Sequence, residues 1–404
     1  MPEAYLHGVE IVEVDSGPRP IQAVRSSVIG LIGTAPDADA AAFPLNTPIL
    51  IAGSRVEAAK LDTVGAKEGT LPQAIDDIFD QGVGALIVVV RVEEEASEAA
   101  TVTNIIGGIQ TDGSYTGVHA FLGAQSAVHV TPRILVAPGF TGYVTRDAGT
   151  GAITGAPVVA ELVAIADRLR GVILADGPNT TDAEAITYRE LFGSKRVFVV
   201  DPSVKVWDTT ANAAAVLPAS ARVAGIMAKS DNERGYWWSP SNREMHGIIG
   251  TARPVDFALG DPNSRANLLN ENEVATIIHQ DGYRLWGNRT CSADPKFAFL
   301  SVVRTFDMAC EALLVSHLWA VDRNITRSYI EEVTEGVNAW VRDQVKKGAL
   351  LGGRVYADPD LNTPEAIADG RAYWDIALTP PAPAERVTFR VALVNDYMTE
   401  VLAG

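Results

Sequence analysis

Four short and almost uninterrupted apolar runs constrain the fold of this chain more than any other feature. They are ALIVVVRV (85–92), RILVAP (133–138), GVILAD (171–176) and RVFVVDP (196–202). A strand with one face in water alternates apolar and polar residues, so continuous apolar runs indicate strands that are covered on both faces. The first half of the sequence therefore predicts a buried, largely parallel sheet.

Helical patterns separate these runs. The segment LPQAIDDIFDQG ends at Gly82, and VVAELVAIADRLRG (158–171) carries a similar apolar stripe. Strands that alternate with amphipathic helices predict layered α/β architecture. We predict an α/β, multi-domain chain with a mainly parallel sheet, flanking helices, a C-terminal α+β domain and extended terminal strand arms.

Changes in composition and hydrophobic pattern along the sequence divide the chain into four predicted parts. Residues 1–22 form an N-terminal arm, and residues 23–250 form an outer α/β domain with a surface excursion at about 93–151. Residues 251–378 form the C-terminal domain, and residues 379–404 a Pro-rich linker with an arm strand. The boundary near residue 250 follows from the loop-rich stretches around it. The adjacent Tyr236, Trp237 and Trp238 cannot share one face, which favours buried anchors at a domain or subunit contact.

Composition excludes several classes of function. The 404 residues are 47% hydrophobic and 21% charged, with a net charge of −17, which argues against a broad surface for nucleic acid or anionic membranes. The longest apolar runs are too short or too interrupted to span a bilayer, and the first residues lack the pattern of a secretion signal, so we expect no membrane anchor. The two cysteines, Cys291 and Cys310, are expected to be reduced thiols, and the histidines show no metal-ligand spacing.

The stretch SSVIGLIGTAPDAD (26–39) invites comparison with a phosphate-binding loop. A dinucleotide fingerprint needs three closely spaced glycines between a strand and a helix, whereas only Gly30 and Gly33 are present. We predict a strand that ends in a structural turn shaped by these glycines. The sequence also lacks a P-loop and a nucleophile elbow, so we expect no catalytic residue, no cofactor and no metal.

Both ends of the chain carry patterns typical of strands. The N-terminal pattern breaks at Gly17, and the C-terminal one follows a linker with three prolines. Each strand could fold back onto its own sheet or add to the sheet edge of a neighbouring subunit. The predicted inter-subunit arm residues are Val9, Ile11, Val12, Val14, Val387, Phe389, Val391 and Leu393.

Near the C-terminus, RSYIEEVTEGVNAWVRDQVKKG predicts a helix with one buried apolar stripe. The stripe consists of Ile330, Val333, Val337, Val341 and Val345. Basic residues remain exposed toward the end of this helix, where they would compensate the helix dipole or meet a partner.

The segment DGYRLWGNRTCS (281–292), taken with residues 7–51 and HLWAVDRNIT (317–326), closely resembles the tail sheath proteins of contractile-tailed bacteriophages and R-type pyocins. The resemblance implies stacked six-subunit rings around a tail tube, which contract to drive the tube through a bacterial envelope, without an enzymatic step or cofactor. The implied partners are further copies of the chain, the tail tube protein, and the baseplate and tail terminator proteins. The implied location is the virion tail, assembled in the host cytoplasm.

The resemblance also implies that the C-terminal domain faces the tube. The tube-facing candidates are therefore Arg323, Arg327, Arg342, Lys346 and Lys347. Two alternatives stay open: a pyocin-like or other contractile injection system, and a cytosolic α/β enzyme with an unrecognised site.

Overall fold

The computed structural model describes residue 21, residues 24–209 and residues 211–395. The strands are β1 (Ile29–Thr34), β2 (Ile49–Ala52), β3 (Leu86–Val92), β4 (Gly108–Ile109), β5 (Tyr115–Thr116), β6 (Ile134–Val136), β7 (Thr145–Arg146), β8 (Ile153–Gly155), β9 (Val172–Asp176), β10 (Val197–Val200), β11 (Val204–Asp208), β12 (Ala213–Leu217), β13 (Gly250–Thr251), β14 (Val274–His279), β15 (Tyr283–Trp286), β16 (Gly352–Ala357) and β17 (Trp374–Thr379). The α-helices are α1 (Arg55–Ala58), α2 (Leu71–Phe79), α3 (Glu98–Ile106), α4 (Ala124–Val128), α5 (Pro157–Leu169), α6 (Asp182–Glu190), α7 (Ser220–Arg234), α8 (Arg265–Glu271), α9 (Leu300–Ser316), α10 (Arg327–Lys347) and α11 (Pro364–Ala368). Short 3₁₀ helices cover Ala59–Leu61, Gly117–Gly123, Pro295–Phe297 and Leu318–Ala320.

An eight-stranded sheet forms the centre, in the order β15-β14-β10-β9-β6-β1-β3-β2. The six inner strands run parallel, and β2 and β15 pair antiparallel at the two edges. All four apolar runs become inner strands of this sheet. The predicted α/β class with a mainly parallel sheet is confirmed.

The strands are apolar throughout because both faces of the sheet are covered. On one face, Ile29 and Leu31 of β1 join a core that also contains α2 and α7. On the other face, Val28 and Ile32 join a core that contains α3 and α5. Successive side chains of a strand point to opposite faces, so both sets of positions must be hydrophobic.

Gly30 and Gly33 lie inside β1, whereas the sequence predicted that they shape a turn. A Cβ atom at Gly33 would lie 2.2 Å from the Thr70 hydroxyl oxygen, and one at Gly30 would lie 2.9 Å from Leu135. The Thr70 amide donates to the Thr34 carbonyl at 2.9 Å, at the end of β1. These glycines therefore permit close packing of neighbouring elements. Thr70, which precedes α2, lies against the carboxyl end of β1.

The sheet continues beyond the domain boundary that the sequence predicted near residue 250. Strand β14 pairs with β10, and β15 pairs with β14, so residues up to 286 complete the sheet. Within the expected excursion at about 93–151, β6 is a buried inner strand of the sheet. The loops around residue 250 connect α7 to the short strand β13, which pairs with β11 in a separate three-stranded sheet.

The C-terminal residues build a third hydrophobic core. It joins α9, α10, and the two-stranded antiparallel sheet of β16 and β17, and Ile21 and Val24 pack against it. Helix α10 begins and ends as the sequence predicted, and Val333, Val337 and Val341 are buried. Val345 is 40% exposed, because Trp340 and Gln344 take its place in the buried stripe.

Three charged residues on one face of α9 hold this helix against the amino ends of the sheet strands. Their spacing of three and four residues places Arg304, Asp307 and Glu311 on the same side of the helix. The ion pairs run from Arg304 to Asp231 of α7, from Asp307 to Arg196, and from Glu311 to Arg133 at 2.6 Å and Arg170 at 3.8 Å. Arg133 and Arg196 immediately precede β6 and β10, so the row joins α9 directly to the sheet.

Replacing one member of this row should destabilise the chain strongly. Asp307→Asn leaves the buried Arg196 without its buried partner, and the expected loss is about 3 kcal/mol of unfolding free energy. Urea unfolding of the unassembled chain, followed by tryptophan fluorescence, measures this loss. The matched control is Glu331→Gln, which breaks an exposed pair with Arg327 and should change stability by less than about 1 kcal/mol. Equal losses for the two variants would contradict the structural role of the row.

Candidate assembly interface

The crevice where α/β proteins usually hold ligands is small in this chain, and the main buried carboxylate beside it is engaged by the chain's own contacts. The crevice lies at the carboxyl ends of β6, β9 and β10 and has a volume of about 180 Å³. The Asp176 carboxylate accepts hydrogen bonds from the Ser220 amide at 2.8 Å and from the Ser220 hydroxyl at 2.5 Å. Burial raises the pKa of Asp176 to about 6. Asp176 therefore holds the first turn of α7 in place.

A neighbouring buried carboxylate has a similar role. Asp201 accepts a hydrogen bond from the Asn179 amide at 2.8 Å and forms an ion pair with Arg253, which also contacts Asp182 of α6.

In the described ranges, no group of three or more His, Cys, Asp or Glu side chains is arranged to hold a metal ion. Among the same residues, no helix is both long and apolar enough to cross a membrane.

The predicted C-terminal arm is exposed along its whole apolar face. The exposed fractions are 68% for Val387, 85% for Phe389, 92% for Val391 and 97% for Leu393. Residues 380–395 form no strand with the rest of the described chain. The alternative in which this segment folds back onto its own sheet is therefore not what the structure contains. The predicted N-terminal arm residues Val9, Ile11, Val12 and Val14 lie outside the described residues.

The two-stranded sheet of β16 and β17 offers an edge to which a further strand could be added. Its register runs from Gly352 opposite Thr379 to Ala357 opposite Trp374, and each strand has one edge without a strand partner in the described chain. Two-stranded sheets are marginally stable by themselves. This sheet packs one face on α10 through Val355, Ile376 and Leu378.

A cleft of about 940 Å³ opens on the β17 side of this sheet. Its walls include Trp374 and Ile376 of β17, and Val333 and Val337 of α10, but no residue of β16. The end of α9 completes the cleft with Leu313 and His317. Charged and polar residues, among them Asp322, Arg323 and Asn324, line the rest of the cleft. An edge strand beside a partly apolar cleft is the geometry that accepts an extended peptide, because the edge binds the backbone and the cleft receives alternate side chains.

The sequence analysis did not single out this sheet. The alternation of Trp374, Ile376 and Leu378 with Asp375 and Ala377 is a strand pattern, and it immediately precedes the Pro-rich linker. That pattern could have located β17. The cleft could not have been found in this way, since its walls come from several elements between residues 313 and 376 that only the tertiary fold brings together.

All five tube-facing candidates are exposed on or near α10. Four of them form ion pairs within their own region: Arg323 with Glu332, Arg327 with Glu331, Arg342 with Glu335, and Lys347 with Asp343. Lys346 has no carboxylate within ion-pair distance among the described residues. The last six residues of α10 therefore contain three basic side chains, Arg342, Lys346 and Lys347, and one carboxylate, Asp343.

The adjacent aromatic residues connect the two halves of the chain. The Tyr236 hydroxyl donates to the Gln344 side chain of α10 at 3.3 Å, and the Tyr236 ring meets Trp237 edge to face at 5.1 Å. Burial raises the pKa of Tyr236 to about 12. Tyr236 thus acts as the predicted anchor, through a contact within the chain. Trp238, by contrast, is 48% exposed.

Family profiles identify two parts of the chain. The phage tail sheath protein central domain matches residues 113–291, and the phage tail sheath C-terminal domain matches residues 292–393. Curated relatives extend the similarity over the whole length. A prophage major tail sheath protein of Pseudomonas aeruginosa (strain UCBPP-PA14) is 45% identical, covering 99% of each chain. The tail sheath protein of Escherichia phage P2 is 36% identical, covering 99% of this chain and 98% of its own.

Solved structures share the fold over nearly the full chain. The helical sheath of the anti-feeding prophage in its contracted state has a TM-score of 0.68 at 20% identity, covering 96% of this chain and 99% of that one. The sheath of an extracellular contractile injection system, PVC, also in a contracted state, has a TM-score of 0.65 at 17% identity, covering 97% and 98%.

The two free thiols should react slowly. Burial raises the pKa of Cys291 to about 12, and it also raises the pKa of the half-buried Cys310 above its ordinary value. Because the thiolate is the nucleophile, a thiol-specific chromogenic reagent at neutral pH should detect at most Cys310 in the native chain and both cysteines after unfolding. Cys310→Ser should abolish the native reaction, and Cys291→Ser should leave it unchanged. Rapid reaction of both thiols in the native chain would contradict this.

Proposed function

The chain belongs to the phage tail sheath family and is a structural subunit of a contractile tail sheath; from this premise we propose how its subunits are joined. Copies polymerise as stacked six-subunit rings around a tail tube, and the terminal arms link each copy to its neighbours. Contraction of this polymer drives the tube through a bacterial envelope. The observation that carries the proposal is the exposed C-terminal arm, together with the open β17 edge.

The apolar face of the arm is costly to leave in water. Fully burying a Val, Leu or Phe side chain is worth about 1.5–3 kcal/mol, so the four side chains of the arm together offer roughly 6–12 kcal/mol before the cost of ordering them. A segment that has no strand partner in the described part of its own chain can recover this free energy by binding to another copy.

The arm and the β17 edge match in length and pattern. The arm alternates from Val387 to Leu393 over seven residues, and β17 has six. An added strand would direct Val387, Phe389, Val391 and Leu393 to the side of Trp374 and Ile376, where the cleft lies. Its opposite face would place Arg390 near the exposed Asp375, and such cross-strand pairs of opposite charge are favourable.

Joining each copy to the next through an arm gives a head-to-tail contact. Contacts of this kind do not return to the starting copy unless the rotation closes, so they generate rings and helical filaments. An arm that keeps two copies connected also permits their larger parts to move relative to each other. Contraction then requires an extended assembly that is kinetically trapped above a more compact one, with the difference in free energy residing in inter-subunit contacts.

The tube is the proposed partner of the C-terminal domain, residues 251–378. The excess positive charge in the last six residues of α10 supports contact with acidic groups on the tube. Baseplate and tail terminator proteins are the proposed partners at the two ends of the polymer. The particle to which the sheath belongs is assembled in the host cytoplasm.

The arm proposal is tested by placing the same charge on its two faces. Val391→Asp puts a carboxylate on the face that enters the cleft, whereas Thr388→Asp, the matched control, puts it on the opposite face of the same strand. Both positions are exposed in the single chain, so both variants should keep the melting temperature of the unassembled protein. Negative-stain microscopy should show tubes with Thr388→Asp and few or none with Val391→Asp, because a carboxylate placed against the apolar wall of Val337, Trp374 and Ile376 loses its hydration.

Truncations complete this test. Deleting residues 1–20, or everything after Pro383, should leave the remaining body folded but unable to form tubes. A truncated chain that still forms tubes would contradict the arm proposal. So would equal tube yields for the two aspartate variants.

The tube contact is tested by charge reversal. Arg342→Glu together with Lys346→Glu should weaken attachment of the extended sheath to purified tubes by at least several-fold at moderate salt, because the last six residues of α10 would become acidic. Co-sedimentation with tubes measures attachment. The matched control carries the same change in net charge at two other exposed sites, Lys60→Glu and Lys67→Glu. Identical attachment of both double variants would remove α10 from the proposed tube interface.

A further inference from the structure

One ion pair ties the Pro-rich linker back onto the body before the arm begins. The Arg289 guanidinium donates from Nε to Oε1 of Glu385 at 2.7 Å and from Nη2 to Oε2 at 2.6 Å. Two parallel hydrogen bonds fix both the distance and the orientation of the pair. The guanidinium also lies 5.3 Å from the ring centroid of Phe299, which limits its movement on another side.

Arg289 sits in a well-held part of the chain. It forms an antiparallel bridge with Phe299, and the adjacent bonds from Thr290 to Ala298 and from Leu300 to Asn288 measure 2.8 and 2.9 Å. Phe299 is the residue that precedes the first turn of α9. Since α9 is joined to the sheet by the buried ion pairs described above, the position of Arg289 is fixed relative to the sheet.

The linker is consequently attached at both ends. Strand β17 ends at Thr379, and Glu385 is held six residues later. A proline-rich segment extends by about 3.1 Å per residue, so six residues span roughly 19 Å. Three of the five residues between the two attachment points are proline, which keeps the segment extended. The free part of the arm therefore begins at Arg386 and not at Pro380.

We propose that the Arg289–Glu385 ion pair is the mooring of the C-terminal arm, which fixes the point and direction from which residues 386–395 leave the body and so sets their reach to a neighbouring copy. This inference rests on the proposed arm linkage. With the pair formed, residues 386–395 reach about 34 Å when fully extended; without it, residues 380–395 reach about 54 Å. The effective concentration of a tethered segment falls with the −3/2 power of its length, or about two-fold for this change, and the loss of direction lowers it further.

The first measurement concerns the mooring in the unassembled chain. Spin labels at Ala384→Cys and Lys296→Cys, in a Cys310→Ser background, report the distance between linker and body. Both labelled positions are exposed. The distance distribution should be narrow in the parent protein and should broaden with Arg289→Ala or Glu385→Ala. An unchanged distribution in these variants would overturn the mooring.

The second measurement concerns assembly of the full chain. Arg289→Ala and Glu385→Ala should each raise the critical concentration for tube formation at least two-fold without lowering the melting temperature by more than a few degrees. If both act through one contact, the double variant should be no worse than either single variant. The control removes an exposed pair away from the cleft, with Glu57→Ala and Lys60→Ala, and should leave the critical concentration unchanged.

The outcomes separate this inference from the proposed function. Suppose that the chain truncated after Pro383 forms no tubes. The mooring alone is then overturned if Arg289→Ala assembles like the parent protein, or if the effects of the two substitutions add in the double variant. Tubes formed by that truncated chain would instead overturn the arm linkage, and the mooring with it.

Discussion

The row of ion pairs along α9 is the contact on which the arrangement of this chain depends. Arg304, Asp307 and Glu311 join the C-terminal residues to the sheet strands and to α7. Charges so far removed from water are tolerated because each has a partner with opposite charge, and removing one partner leaves the other uncompensated. The body therefore has a fixed geometry from which its arm and its open sheet edge are presented.

A fixed body and an exposed arm have complementary roles in a polymer. The strands of the central sheet satisfy their backbone groups and bury their side chains within one copy. The C-terminal arm leaves both requirements unmet in the described chain, and β17 has one edge without a strand partner there, so we propose that contacts between copies supply what is missing. Where the arm leaves the body matters for the same reason, and the pair between Arg289 and Glu385 determines that place.

The central sheet is of a kind that many enzymes share, and it illustrates why fold alone does not specify chemistry. At the carboxyl ends of its strands, Asp176 caps α7 and Asp201 holds Arg253. The spacing of Gly30 and Gly33 in β1 is reminiscent of a nucleotide-binding loop but lacks its third glycine. These two glycines instead permit close packing against Leu135 and Thr70. The chain belongs to the tail sheath family, so here such a sheet forms the centre of a structural subunit.

The sequence by itself determined five of the six inner strands, β1, β3, β6, β9 and β10, helices α2, α5 and α10, and the family, because these depend on local periodicity or on contiguous motifs. Tertiary structure alone decided the extension of the sheet to β15, the cleft beside β17, and the partners of Arg196 and Arg289, which lie 111 and 96 residues away. Periodicity states which face of an element is apolar, but it does not state which distant element covers that face. Charged residues within an apolar helix such as α9 look like interruptions until their partners are placed beside them, since a buried charge is acceptable only where the fold supplies its counter-charge.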